Sequence, residues 1–200
     1  MRLKSTEHQP PSISRSPGQA EYVLGMYALI FVMILSMASL QILQYKADSD
    51  IAEDALAASA LAALDVDPYR YGTDHKLVIN DPGHAYELFK TALRGNMDLN
   101  NEYRPRTAGK NYVSGTVTIE DFRIYLVDGD NVTEYRISDT TVDVSMGIYG
   151  DMRTPGGQTV RSAGCYAAVS FDTEGFMGIK IGAYKQAYAE MVADPDRKRE

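Results

Sequence analysis

The side chains equipped for chemistry in this chain are few and widely spaced. Asp74, His75, Asp81 and His84 gather two imidazoles and two carboxylates in a short stretch, the donor types a metal ion uses. Their spacing matches no zinc template, and Asp81 before Pro82 is better employed as a helix N-cap. The turn Asp128-Gly129-Asp130-Asn131 offers oxygen ligands for calcium but lacks the rest of an EF-hand loop, and a hairpin accounts for it fully. Glu120 and Asp121 are neighbours that point to opposite faces of a regular strand, so they make a poor carboxylate pair for work on one bond. The single cysteine, Cys165, forms no internal disulfide. Its place in the alternating run Ala163, Cys165, Ala167, Val169, Phe171 reads as a small buried hydrophobe, with a nucleophile or an intermolecular crosslink as the other uses of such a thiol. No serine elbow, suggestive Cys/His pair, phosphate-cradling glycine loop or zinc helix is present. The sequence predicts no catalytic residue, no metal, no cofactor and no enzyme.

Glu21 is the ionisable residue in the least ordinary place, at the head of a stretch from Tyr22 to Tyr45 that contains no charge. A bilayer core about 30 Å thick needs roughly 20 apolar helical residues. Val23 to Leu43 supplies them, with Ser36, Ser39 and Gln41 as its polar members. Arg2, Lys4 and Arg15 precede this span, whereas Lys46 beyond it is outnumbered by Asp48, Asp50, Glu53 and Asp54. Basic residues resist translocation, so the expected topology is a single pass through the cell membrane, N-terminus cytoplasmic and remainder extracytoplasmic. The competing reading is a cleaved secretory signal, with Val23 to Leu35 as its apolar region and Ser36-Met37-Ala38 as the cut. Leu40, Ile42 and Leu43 argue against it by continuing the apolar pattern.

Composition narrows the partners. The net charge of −7 leaves no basic stripe to displace counterions from phosphates, so nucleic acid is not expected. Membrane lipid is expected. The chain beyond the span is long enough for one domain with its own core.

The elements that position these residues follow from periodicity. Residues 1–18 form a polar, basic leader rich in Ser and Pro. Residues 19–65 form one long helix, transmembrane over about 23–43 and alanine-rich over about 46–65, because no proline intervenes before Asp67-Pro68. The larger apolar members of its second half are Ile51, Leu56, Leu61 and Leu64. Its small side chains allow close packing on the chain's own sheet or on identical helices. Residues 66–193 form an extracytoplasmic α+β domain and 194–200 a polar tail. Within the domain, Asp81-Pro82 opens a short helix that Gly95-Asn96 closes, with Ala85, Leu88, Phe89, Ala92 and Leu93 on its apolar face.

After Lys110 the period changes to two. Val113, Val117 and Ile119 alternate in one parity and Phe122, Ile124 and Leu126 in the other, which predicts a bulge or corner near Glu120-Asp121. Further strands are expected over Val132 to Ser138, Val142 to Ile148 and Val160 to Phe171, making an antiparallel sheet of about four strands. Ile179 to Val192 fits either a short strand or a helix with Tyr184, Tyr188 and Met191 on one face. The 14 tyrosines and absent tryptophans fit a β-domain with an amphipathic surface.

Gly18-Gln19-Ala20-Glu21-Tyr22 before a long apolar helix resembles the leader junction of type IV pilin-like proteins. The Glu-Tyr pair and the alanine-rich stretch that follows look most like the TadE-like minor pseudopilins of the Tad (tight adherence) pilus system. The resemblance covers roughly residues 15–64. It implies cleavage between Gly18 and Gln19 by a membrane prepilin peptidase and a mature protein that joins or primes a pilus or secretion filament, with other pilin or pseudopilin subunits as partners. Glu21 and Tyr22 would then serve assembly. The family commonly carries glutamate fifth in the mature chain. Here Glu21 is third after a cut at Gly18, and fifth only after a cut at Ser16.

A carboxylate at the edge of a hydrocarbon span must be solvated or paired. In a pilin-like assembly, the partner is the new α-amine of a neighbouring subunit. Otherwise Glu21 reaches interfacial water and complements the helix macrodipole. Two functions remain open: a minor pilin or pseudopilin, or an unprocessed signal-anchored binding or sensing module.

Overall fold

A computed structural model describes residues 17–65, 73, 79, 81–107, 111–175 and 178–191. Asp74, His75, most of the leader and the polar tail lie outside the described residues. The chain divides after Leu43 into two units. Helix α1 (Pro17–Ala62) runs unbroken through that division. Pro17 occupies its first position, where a missing N–H is harmless. Ala, Leu and Met then sustain it, and Gly25 sits within it without ending it.

In the second unit, α1 buries a narrow stripe, Ala52, Ala55, Leu56, Ser59 and Ala60, which Ala63 and Leu64 continue just past its end. Steps of three and four residues keep these side chains on one helical face. Most are alanine, so the backbone can lie close to what it covers. The stripe belongs to one core with the second helix and one face of the sheet, so the alanine-rich half packs on its own domain. Ile51 and Leu61 are exposed despite their size.

Helix α2 (Pro82–Asn96) starts where its cap dictates. The Asp81 carboxylate accepts from the N–H groups of Gly83 (2.9 Å) and His84 (3.1 Å). The helix ends in a Schellman turn: Leu99 N–H donates to the Arg94 carbonyl at 2.8 Å and Asp98 N–H to that of Gly95 at 3.3 Å. Asp98, not a glycine, takes the left-handed conformation there, at φ 51°. The buried face is Ala85, Tyr86, Phe89 and Leu93. Leu88 and Ala92, expected on this face, are only half-buried because the face is turned toward Tyr86, whose ring lies 5.0 Å from that of Phe122.

Five antiparallel strands follow: β1 (Thr118–Asp128), β2 (Asn131–Ile137), β3 (Val142–Ile148), β4 (Gly164–Glu174) and β5 (Lys180–Glu190), in the order β3-β2-β1-β4-β5. The architecture is α+β as expected, with five strands instead of about four. The additional one is the segment that fitted either a strand or a helix. It pairs with β4 along its whole length, turning Ala183, Ala187 and Ala189 to the helices, with Tyr184 and Tyr188 on the opposite face. The register of β1 against β4 shifts between Ile119 and Asp121, so Glu120 is the extra residue of a bulge. The parity switch in the sequence has this cause. Gly129, at φ 63°, turns β1 into β2 through a two-residue loop.

β4 begins at Gly164, later than Val160. The preceding loop instead lies over the second face of the sheet, where Val160 joins Tyr125, Val132, Tyr166 and Ala168 in a smaller core. Gly164 is required there: a Cβ would stand 2.6 Å from the Tyr188 hydroxyl oxygen and 2.7 Å from its ring.

Candidate functional site: the apolar half of the first helix

Among its described residues, the first unit has no core of its own. Leu24, Leu29, Phe31, Leu40 and Ile42 are each more than 60% exposed, on every side of the helix. An apolar face confined to one stripe would suit a sheet, but a rod apolar all round suits only a nonaqueous surround or other helices. Among the described residues, α1 contains one segment long and apolar enough to cross a membrane. It lies near the N-terminus, and none of its most apolar window is buried.

The polar members of the span are handled locally. Ser36 Oγ donates to the Val32 carbonyl at 2.8 Å and Ser39 Oγ to that of Leu35 at 2.9 Å. Both hydroxyls are therefore satisfied without water, the condition a hydrocarbon surround imposes. Gln41 differs: its amide oxygen is shielded from solvent and has no hydrogen-bond partner among the described residues.

Gly18 and Gln19 lie in the first turn of α1, and Glu21 and Tyr22 follow after Ala20. Gly18 and Glu21 are exposed, and Tyr22 is 79% exposed. The helix begins at Pro17, so the Gly18–Gln19 bond is already helical. No ion-pair partner approaches Glu21 among the described residues.

Beyond Leu43, α1 is fastened to the last strand. Lys185 Nζ donates to Ser49 Oγ at 2.6 Å and lies 3.4 Å from Glu53 Oε2. At the contact with α2, Asn96 Nδ2 donates to the buried Ser59 Oγ at 3.0 Å. Ser59 Oγ in turn donates a hydrogen bond to the Ala55 carbonyl at 2.6 Å.

The densest group of charges lies on the second face of the sheet. Arg123 and Arg136 stand opposite one another across β1 and β2, and Asp121 sits between them, 2.7 Å from Arg123 and 3.3 Å from Arg136. Arg123 also pairs with Glu134 at 2.8 Å, and Glu134 accepts from Tyr125 at 3.0 Å and Ser145 at 2.8 Å. Burial alone would raise the Glu134 pKa. Hydrogen bonds from Arg123, Ser145 and Tyr125 outweigh it and hold the carboxylate below its ordinary range. Each charge is held by another, which makes the group a cross-strand clamp. Glu120 likewise accepts from Ser170.

Cys165 is fully buried among the residues facing the helices, and burial pushes its thiol pKa up. That environment suits packing and opposes nucleophilic use. His84 lies in the first turn of α2, whose cap is Asp81. The Asp128-to-Asn131 turn is the β1–β2 hairpin.

Comparison with family models, with curated proteins and with solved structures finds no match.

Proposed function

We propose that this chain is a non-enzymatic, single-pass membrane protein of the TadE-like kind, a minor pilin or pseudopilin that assembles into or primes a Tad-type pilus or secretion filament. One observation carries the reading: a single helix whose N-terminal half is apolar on all sides and uncovered, and whose C-terminal half is docked onto an α+β domain. That division of labour suits a rod that leaves lipid to pack against other rods while carrying a folded head. Exposed Glu21 is free to meet the α-amine of an adjacent processed subunit.

The rival is an unprocessed signal-anchored binding or sensing module, favoured by the third rather than fifth position of Glu21 after a cut at Gly18. N-terminal sequencing of membrane-extracted protein separates them. Gln19 or Pro17 as first residue is the pilin result, and Met1 is the anchor result. Ser39 would show signal-peptidase cleavage and end both readings. Glu21→Ala is then expected to insert normally but to lose co-assembly, and unchanged co-assembly would remove Glu21 from the mechanism.

A further inference from the structure

Two helices, each about 10 Å across, cover one face of a sheet whose five strands lie about 4.8 Å apart. The sheet exceeds its cover by about one strand. That strand is β3, where Val142, Val144, Met146 and Ile148 are 52%, 55%, 82% and 63% exposed. They stand on the same face as the core residues Ile124 and Ile137, to which the register links them.

The same residues carry the free edge of the backbone. Ser138 N–H donates to the Thr141 carbonyl and Tyr149 N–H to that of Asp130, which fixes the hydrogen-bonding phase of the β2–β3 ladder. Odd-numbered residues of β3 therefore turn their amides toward β2, and even-numbered ones turn theirs outward. Natural edges are commonly blunted by lysine, proline or a bulge. β3 has none of these and a regular register, whereas the opposite edge, β5, carries Lys180, Lys185 and Glu190.

We propose that β3 is a pairing edge for a second copy of this chain, joined antiparallel about a two-fold axis at Val144. The phase requires even-numbered residues opposite even-numbered ones. Moving the axis to Ser145 would set Val142 against Ile148 of the second copy, whose carbonyl already accepts from Asp151 (3.2 Å) and Met152 (3.1 Å). Moving it to Asp143 would set the strand's one charge against its own copy. With the axis at Val144, Val142 faces Met146 and Asp143 faces Ser145, so no like charges meet and the apolar stripes continue on one face. Pairing of one strand buries less than the roughly 1,200–2,000 Å² of a standard stable interface, so association is weak in dilute solution and rises when copies are concentrated together.

The test uses the full chain, in vesicles or in buffer according to where fractionation recovers it. Val144→Cys is treated with a short bis-maleimide, which bridges two thiols by forming a C–S bond to each, with the buried native thiol silent. Both Val144 and the control position Tyr184 on β5 are exposed, so substitution spares the core. The expected result is a crosslinked dimer from Val144→Cys, none from Tyr184→Cys, and loss of the dimer when Met146→Lys is added. Absence of a Val144→Cys dimer, equal yields at the two edges, or persistence with Met146→Lys would each overturn the proposal. None of these results depends on leader processing, so pairing and pilin maturation can fail separately.

Discussion

The two halves of α1 use opposite kinds of apolar residue for opposite purposes. From Tyr22 to Leu43 the side chains are large, point in every direction and touch no core. From Gln44 to Ala62 the buried ones are mostly alanine and lie on one stripe. Most of the large apolar side chains of the helix are thus uncovered, and most of its buried ones are small. A sheet needs a thin, one-sided cover, whereas a lipid surround takes large apolar side chains on every side. The same secondary structure meets both demands because only the side chains change.

Substitutions can break this contrast in graded steps. Leu56 is the largest fully buried side chain on the stripe, so Leu56→Ala should remove about 2–5 kcal/mol from domain stability in denaturant unfolding. Leu35→Ala, in the uncovered half, should leave that transition where it was. Val32→Arg places a charge near the middle of the span at a cost of about 2.5–3.5 kcal/mol. Alkaline extraction should then release part of the protein, while Glu53→Arg, outside the span, should not change its partition. Ala60→Leu overfills the stripe and should destabilise the domain by about 1–3 kcal/mol, whereas Ala38→Leu should be silent in the same assay.

The smallest effect sharpens the boundary from the sheet side. Glu134 has a folded pKa below its ordinary value of 4.5, so its contribution is complete above about pH 4.5 and is lost as the pH falls through the depressed value. Glu134→Gln should lower Tm near neutrality and flatten its decline below pH 4.5.

Periodicity made much of this architecture legible. The parity switch at Glu120-Asp121 disclosed the bulge, and the Asp-Gly-Asp-Asn turn disclosed the hairpin. Asp81-Pro82 disclosed the start of α2. The last strand was ambiguous because Tyr184, Tyr188 and Met191 satisfy a helical period while Ala183, Ala187 and Ala189 satisfy a strand. Pairing with β4 decides between them, and no local signal reports it. Tyr86 was absent from the expected apolar face of α2, and the rings of Phe122 and Phe89, which come from separate elements, supply the aromatic seat that buries it. The Arg123–Glu134 clamp was readable in principle: the hairpin at Asp128 and Asn131 sets Tyr125 opposite Glu134, with Arg123 diagonal to it. The apolar half of α1 was plain from composition. What surrounds it is a property of its environment, which periodicity does not record.

Cys165 gives the molecule a clock. Its sulfur sits in β4, between β1 and β5, and is wholly shut away. An alkylating reagent reaches it only during those moments when the sheet comes apart. Where reaction outpaces reclosure the labelling rate counts such excursions, and where reclosure is faster the rate relative to that of a free thiol gives the free energy of opening. The chain thus reports on its own breathing without an added probe, whether free, in lipid or built into a larger assembly.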